Sequence, residues 1–169
     1  PMTRFAPRLK LALHPQFAAV VRREPVAPIN VEISPSGACQ ASCDFCGYAS
    51  GAIGAHTATF LESLRLRSLL AACSAMQVKS ISWTGGGEPT LHPDFGEAVK
   101  FAAHTGLEQG LFTNALATPH YDPSHMQWIR VTMTDRPFRP DVIRALRPAR
   151  SLGFAFNYAG PQDDEYLWR

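Results

Sequence analysis

The chain has 169 residues, 46% hydrophobic, 18% charged and 10% aromatic, the balance of a globular domain able to bury a core without disulfide staples. Its formal charge is only +2, from 16 Lys and Arg against 14 Asp and Glu, so it lacks the basic field that general nucleic-acid binding requires. No stretch approaches the roughly 18 uninterrupted apolar residues of a membrane span, and the first residues lack a secretory leader's apolar core. The expectation is a cytoplasmic protein with no membrane partner.

Residues 1–28 read as a proline-punctuated, mildly basic lead-in with one short helix from about Pro15 to Arg23, packing on a core domain that occupies 29–169. Val31-Glu32-Ile33-Ser34 predicts a strand, followed by a cysteine-containing loop and a helix from about Thr59 to Met76. Thr59 and Glu62 fit a capping box, and Leu61, Leu64, Leu69, Cys73 and Met76 are taken as the face on the core. A second strand is expected over Lys79 to Trp83, then a glycine-rich turn, a helix from Pro93 to His104 ending before Gly106, and a strand from Gln109 to Thr113. Further on come a short helix within His120 to Gln127, a strand from Trp128 to Thr134, a helix from Pro140 to Leu146, and a fifth strand from Leu152 to Asn157.

Strands alternating with helices imply parallel βαβ units with right-handed crossovers. An eight-unit barrel needs about 250 residues, roughly 31 per unit, so this length holds about five units. The expected fold is therefore α/β, an incomplete, open (β/α)6-like partial TIM barrel with parallel strands and the C-terminal part of the barrel absent. Its open edge is expected to be shielded by the lead-in, by Tyr166-Leu167-Trp168, or by a second chain of the same or another protein.

Each chemically suggestive motif directly follows a predicted strand, and in parallel α/β folds the strand C-terminal ends form the ligand-binding face. The first motif is Cys39-Gln-Ala-Ser-Cys43-Asp-Phe-Cys46, while the fourth cysteine, Cys73, stands apart in a helical pattern. Three such thiolates can hold three irons of a 4Fe-4S cluster and leave the fourth iron open. Structural zinc is the competing reading, although the neighbours His56 and Cys73 complete no second paired knuckle. The second motif, Gly85-Gly86-Gly87-Glu88, combines backbone that can approach a ligand closely with a carboxylate suited to an ammonium group; the bland alternative is a turn followed by a surface acid. His56, His104, His120 and His125 show no ligand spacing, His92 reads as a helix-entry residue, and Trp83 and Trp128 read as strand core.

Together these residues resemble the radical S-adenosylmethionine superfamily, which has a C-x3-C-x2-C loop with an aromatic before the last cysteine, here Phe45, and a Gly-Gly-Glu motif after the second strand. Thr113-Asn114-Ala115 is similar to that family's frequent Thr-Asn-Gly, and Trp128-Ile129-Arg130-Val131 looks like its fourth strand, so the resemblance covers roughly Pro28 to Asp135. It implies a 4Fe-4S cluster on Cys39, Cys43 and Cys46, and S-adenosylmethionine chelating the open iron with its amine held by Gly86, Gly87 and Glu88. Phe45 would lie near the adenine, with Asn114 and Thr132 offering polar contacts; no further catalytic residue is assigned. Reductive cleavage, fed by a donor such as flavodoxin or ferredoxin, would yield a 5'-deoxyadenosyl radical that takes hydrogen from an organic substrate, a nucleoside or other small metabolite. With only Cys73 left over, auxiliary clusters are not expected. The alternatives are an activase of a glycyl-radical partner enzyme and a non-catalytic iron-sulfur or zinc module that binds another protein. Ala115 in place of glycine and the sequence Phe154-Ala155-Phe156-Asn157-Tyr158 depart from the pattern on its adenosine side.

Overall fold

The computed structural model describes residues 16–133 and 139–156. A short helix α1 (Gln16–Val21) precedes β1 (Asn30–Ile33), α2 (Ser63–Ala75), β2 (Ser80–Trp83), α3 (Phe95–His104), β3 (Glu108–Thr113), β4 (Met126–Met133), α4 (Pro140–Ala145) and β5 (Leu152–Phe156). The five strands form one sheet in the order β1-β2-β3-β4-β5, and every neighbouring pair is parallel. Successive strands thus take adjacent places without a switch point, which is the wall of a barrel and not a doubly wound sheet. The expected open α/β sheet of five parallel strands is the fold found.

Strand alternation divides the sheet into two unlike faces. Ile33, Ile81, Trp83, Leu111, Ile129 and Val131 share a core cluster with Leu66, Leu70 and Cys73 of α2 and with Phe95, Val99 and Ala102 of α3. Trp83 is fully buried; its indole N–H donates to Gln109 Oε1 at 2.9 Å, and Gln109 Nε2 donates to the Val99 carbonyl at 3.0 Å, tying β2, β3 and α3 together. Glu32, Ser82, Phe112, Arg130 and Thr132 alternate to the opposite face, the inner one in a barrel wall. Trp128 lies against Gly110 on that face, and a Cβ at Gly110 would meet the indole at 2.1 Å. Trp128 is half-buried and outside the core cluster, in contrast to Trp83.

Three local expectations are corrected. The helix expected from Thr59 begins at Ser63; Glu62 is its N-cap but makes no side-chain cap hydrogen bond. Thr59 instead meets the Thr57 hydroxyl, and Phe60 bridges Ser36 in antiparallel fashion, because Gly37 N donates to Thr59 O and Leu61 N to Pro35 O, at 2.9 Å each. This pairing across the cysteine loop outcompetes an extra helical turn. Consequently the buried face of α2 is Leu66, Leu70 and Cys73, at helical steps of four and three, whereas Leu64, Leu69 and Met76 are exposed. Within His120 to Gln127 only a 3-10 turn forms, Pro123–His125, and β4 begins immediately after it at Met126.

His92 enters α3 as expected, but buried: its Nε2 faces the Leu61 carbonyl at 2.7 Å while Nδ1 accepts from Asp94 N at 3.1 Å. One tautomer, with the proton on Nε2, satisfies both contacts and latches the entry of α2 to that of α3. Helix α1 buries no residue, and among the described residues no helix is long and apolar enough to cross a membrane. Tyr166-Leu167-Trp168, proposed above to shield the edge, lies outside the described residues, as do Thr134 and Asn157 at the ends of the expected fourth and fifth strands.

The α2 face is checked by urea unfolding. Leu70→Ala should cost about 2–5 kcal/mol through a core cavity, while Leu64→Ala, at 69% exposure, should change stability by less than about 0.5 kcal/mol. The reverse ranking would reinstate the face read from the sequence.

Candidate functional site

The cysteine loop leaves the end of β1 and is clamped at its base. Ser36 is buried; its hydroxyl accepts from Ala38 N and donates to Ala38 O, both at 3.1 Å, just before Cys39. Cys46 N donates to Cys43 O and Ser50 N to Cys46 O, at 2.9 Å each, so the second and third cysteines sit on consecutive turns of chain. Cys39, Cys43 and Cys46 are half-buried and form no disulfide, and Cys39 Sγ accepts from Ala41 N at 3.4 Å and from Asn114 Nδ2 at 3.7 Å. Burial pushes the Cys39 thiol above the usual cysteine range.

Glu88 joins this loop to the ends of β2 and β3. It is 3% exposed, which removes the surface-acid reading. Its Oε1 accepts from Thr90 N at 3.3 Å, Thr90 Oγ1 at 2.8 Å and Thr113 Oγ1 at 2.7 Å, whereas Oε2 accepts from Asn114 N at 2.8 Å. Its own amide donates to Ala38 O at 2.7 Å. Desolvation raises the carboxyl above its ordinary range despite these donors. Among the described residues the ion pairs are Arg22–Glu24, Arg65–Glu62 and Arg139–Asp141, all at the surface, so the buried carboxylate has no salt-bridge partner there.

The glycines before it are required by the chain itself. A Cβ on Gly87 would stand 2.3 Å from the Ala38 carbonyl oxygen, and one on Gly86 would stand 2.8 Å from the Tyr48 ring. Gly86 N donates to Ser34 Oγ at 3.3 Å. The close backbone approach foreseen for a ligand is thus used here by the cysteine loop. After β3, Ala115 adopts φ +52°, the left-handed conformation that the expected glycine would take freely and an L-residue adopts at about 1–2 kcal/mol. Thr113 Oγ1 accepts from Ala115 N at 3.1 Å, and Asn114 Oδ1 accepts from Leu116 N at 3.0 Å, which hold the turn.

A cleft of about 390 Å³ opens between these loops, lined by Cys39, Cys43, Phe45, Cys46, Gly86, Gly87, Glu88, Asn114 and Thr132. The residues expected to hold the cluster and the cofactor therefore line one cavity. Thr113, placed with Asn114 in the motif after the third strand, lines it as well, and so do Phe112, His56 and Glu32, which were not assigned to the site. The supporting hydroxyls of Thr90 and Thr113 and the ring of Tyr48 were missed as well; only proximity in sequence to Glu88, Asn114 and Cys46 pointed toward them. Asn114, expected to face cofactor or substrate, also contacts the loop: its Oδ1 accepts from Gln40 Nε2 at 3.3 Å while its Nδ2 reaches Cys39. A larger recess, about 680 Å³, lies beside α3 and contains His104, His120 and His125. Among the described residues no three His, Cys, Asp or Glu are gathered as a single metal ion would need.

The pH response of Glu88 follows from the direction of its shift. A folded pKa above the unfolded value means that the neutral form supports the fold, so its contribution is complete below the ordinary carboxylate range and is lost as pH rises through the folded pKa. For the cofactor-free chain, the stability advantage of wild type over Glu88→Gln should shrink as pH is raised from 5 to 8 in urea titrations. An advantage that grows over that range would contradict the shift.

No curated protein matches the chain in sequence. Among solved structures, BtrN in complex with AdoMet and 2-DOIA is similar with a TM-score of 0.59 at 15% identity, over 75% of this chain and 56% of BtrN. Streptococcus suis SuiB bound to the precursor peptide SuiA is similar with a TM-score of 0.64 at 16% identity, over 90% of this chain and 38% of SuiB. At such identities the likeness is one of fold, and the chain spans little more than half of BtrN and less of SuiB. The sequence profile of the Radical SAM superfamily matches residues 33–169, from the last residue of β1 onward. The chain belongs to the Radical SAM superfamily, whose cofactors are a 4Fe-4S cluster and S-adenosylmethionine.

Proposed function

We propose that Cys39, Cys43 and Cys46 hold the 4Fe-4S cluster, that Gly86, Gly87 and Glu88 receive the methionine end of S-adenosylmethionine, and that the protein abstracts hydrogen from a small organic substrate, a nucleoside or other small metabolite. The observation that carries this reading is the buried Glu88 carboxylate, which has no salt-bridge partner among the described residues and lines one cleft with three cysteines that form no disulfide. A buried charge of this kind is costly unless a cation meets it. The ammonium of a zwitterionic ligand supplies that cation, and Oε2, which accepts from Asn114 N, has lone-pair capacity left for it. The donor set fits as well, because soft thiolates suit iron in a cluster and three of them leave one iron open to a ligand.

A 4Fe-4S cluster held by Cys39, Cys43 and Cys46 would supply the electron for reductive cleavage of a carbon–sulfur bond in S-adenosylmethionine. The chain's own residues bind and orient. Thr90 and Thr113 aim the Glu88 carboxylate through their hydroxyls, and Asn114 and Ala41 fix the Cys39 sulfur. Phe45, on the cysteine loop, presents an aromatic ring for the adenine, and Thr132, one step along the inner face of β4 from Arg130, offers a hydroxyl to cofactor or substrate. The cleft volume lies within the range of small-molecule sites, about 300–1,000 Å³, the scale of a cofactor such as S-adenosylmethionine. A flavodoxin or ferredoxin fits the need for a low-potential donor, and cysteines outside any disulfide suit the reducing cytoplasm.

Anaerobic reconstitution should load four irons and four sulfides per chain. Cys39→Ala, Cys43→Ala and Cys46→Ala should each lose the cluster, and Cys73→Ala, altered only in the core, should retain it. With a chemical reductant, the loaded protein should convert S-adenosylmethionine to equal amounts of methionine and 5'-deoxyadenosine. One zinc per chain and no cleavage would overturn the reading.

Glu88→Gln should leave iron content intact and weaken S-adenosylmethionine binding by about tenfold to a hundredfold, the loss of a charge-assisted hydrogen bond worth about 1.5–3 kcal/mol. Equilibrium dialysis against labelled cofactor measures this, and unchanged affinity would remove Glu88 from the binding site.

A further inference from the structure

We infer that His56 is a hydrogen-bond donor to the Cys46 sulfur and raises the reduction potential of the cluster from outside the three-cysteine motif, an inference that rests on the ligand assignment proposed above. His56 lies ten residues beyond Cys46, where the loop turns back toward its base, and its Nε2 is 3.9 Å from Cys46 Sγ. Both side chains line the same cleft.

The donor is settled by the chemistry of the pair. A cysteine bound to iron is a thiolate with no proton to give, so the hydrogen in this contact belongs to Nε2. The other tautomer would aim a ring lone pair at an anionic sulfur and would leave a buried N–H at Nδ1, an atom with no hydrogen-bond partner. The Nε2–H tautomer avoids both conflicts.

What keeps the ring in place is stacking. Tyr48 lies over His56 with ring centroids 5.9 Å apart and planes 26° apart, and the same Tyr48 ring occupies the space a Cβ on Gly86 would fill. The imidazole is therefore braced, through Tyr48, against the Gly-Gly-Glu turn. On the far side of the loop Asn114 Nδ2 approaches Cys39 in a comparable way, at 3.7 Å. Cys39 and Cys46 thus each have a side-chain N–H group at the sulfur. Such donors stabilise the more negative, reduced cluster and so move its potential upward. His56 in this role is a positioning residue: it touches a ligand of the cluster and neither cofactor nor substrate.

The test is a stepwise reductive titration of the anaerobically reconstituted chain, read by the electron paramagnetic resonance of the reduced cluster, with iron content measured alongside. His56→Phe keeps a ring to stack on Tyr48 but removes the N–H; His56→Gln keeps an N–H. The Phe variant should show a roughly tenfold lower ratio of reduced to oxidised cluster at a fixed potential, about 59 mV for a one-electron couple, and the Gln variant should recover much of the difference. Loss of iron from the Phe variant alone, with the Gln variant loaded, also supports the inference. An unmoved potential in a fully loaded Phe variant, equal shifts in the two variants, or loss of iron from both would overturn it. A wild-type chain that loads no 4Fe-4S cluster would instead overturn the functional reading on which it rests.

Discussion

The structure of the site depends on one buried carboxylate. Glu88 draws backbone and hydroxyl donors from the turn after β2 and from the end of β3, while its own amide holds the cysteine loop through Ala38. Three segments far apart in sequence are thereby set against each other at the C-terminal edge of the sheet. Neutral donors compensate only part of the desolvation, since the carboxyl stays shifted toward its protonated form. A group left in that condition is primed for a cationic ligand, which would complete its electrostatics and strengthen the junction at the same time. Binding and local stability are then coupled by ordinary linkage.

Around that junction the packing tolerance is small. Gly85, at φ +145°, and Gly87 let the turn lie against Ser34 and Ala38, where any side chain would collide with backbone or hydroxyl. Gly86 admits the Tyr48 ring, and Tyr48 braces His56. The glycine run therefore serves the cysteine loop first, bringing it close enough to share a cleft with Glu88. Ala115 marks the opposite case, an L-residue held in a left-handed conformation by hydrogen bonds from its neighbours. Its strain sits in the same turn that carries Asn114 to Cys39, where local cost is offset by the contacts the turn creates.

The two faces of the sheet divide the labour. The outer face is an apolar interlock of strand and helix residues centred on Trp83, Leu111 and Phe95. The inner face mixes Glu32, Ser82 and Thr132 with Phe112 and Trp128, and the guanidinium of Arg130 lies over both of those rings at 5.7 and 5.9 Å. Cohesion comes from the first and chemistry is available on the second. Because each motif follows a strand, the rigid core fixes where the reactive loops begin, and those loops need only short-range hydrogen bonds to finish their own geometry.

Much of this was legible in the residue order. The alternation of strands and helices, the parallel five-stranded sheet, and the gathering of the cysteines, Gly86, Gly87, Glu88 and Asn114 at its C-terminal edge follow from local pattern, because period-two and period-3.6 apolar repeats are properties of neighbouring residues; Thr132 was reached only through the family resemblance. What local pattern does not contain is competition between distant segments. Thr59 carries a capping signal, yet its backbone pairs with Gly37 and the helix begins at Ser63, which also moves the buried face to Leu66 and Leu70. The burial of Glu88, the seat of Tyr48 on Gly86 and the approach of His56 to Cys46 likewise arise only when the loop closes on itself and on β3. Sequence determined which chemistry the chain carries and on which edge it lies. Tertiary structure decided which atoms meet there, because burial and hydrogen-bond partners are set by segments that are neighbours only in the folded chain.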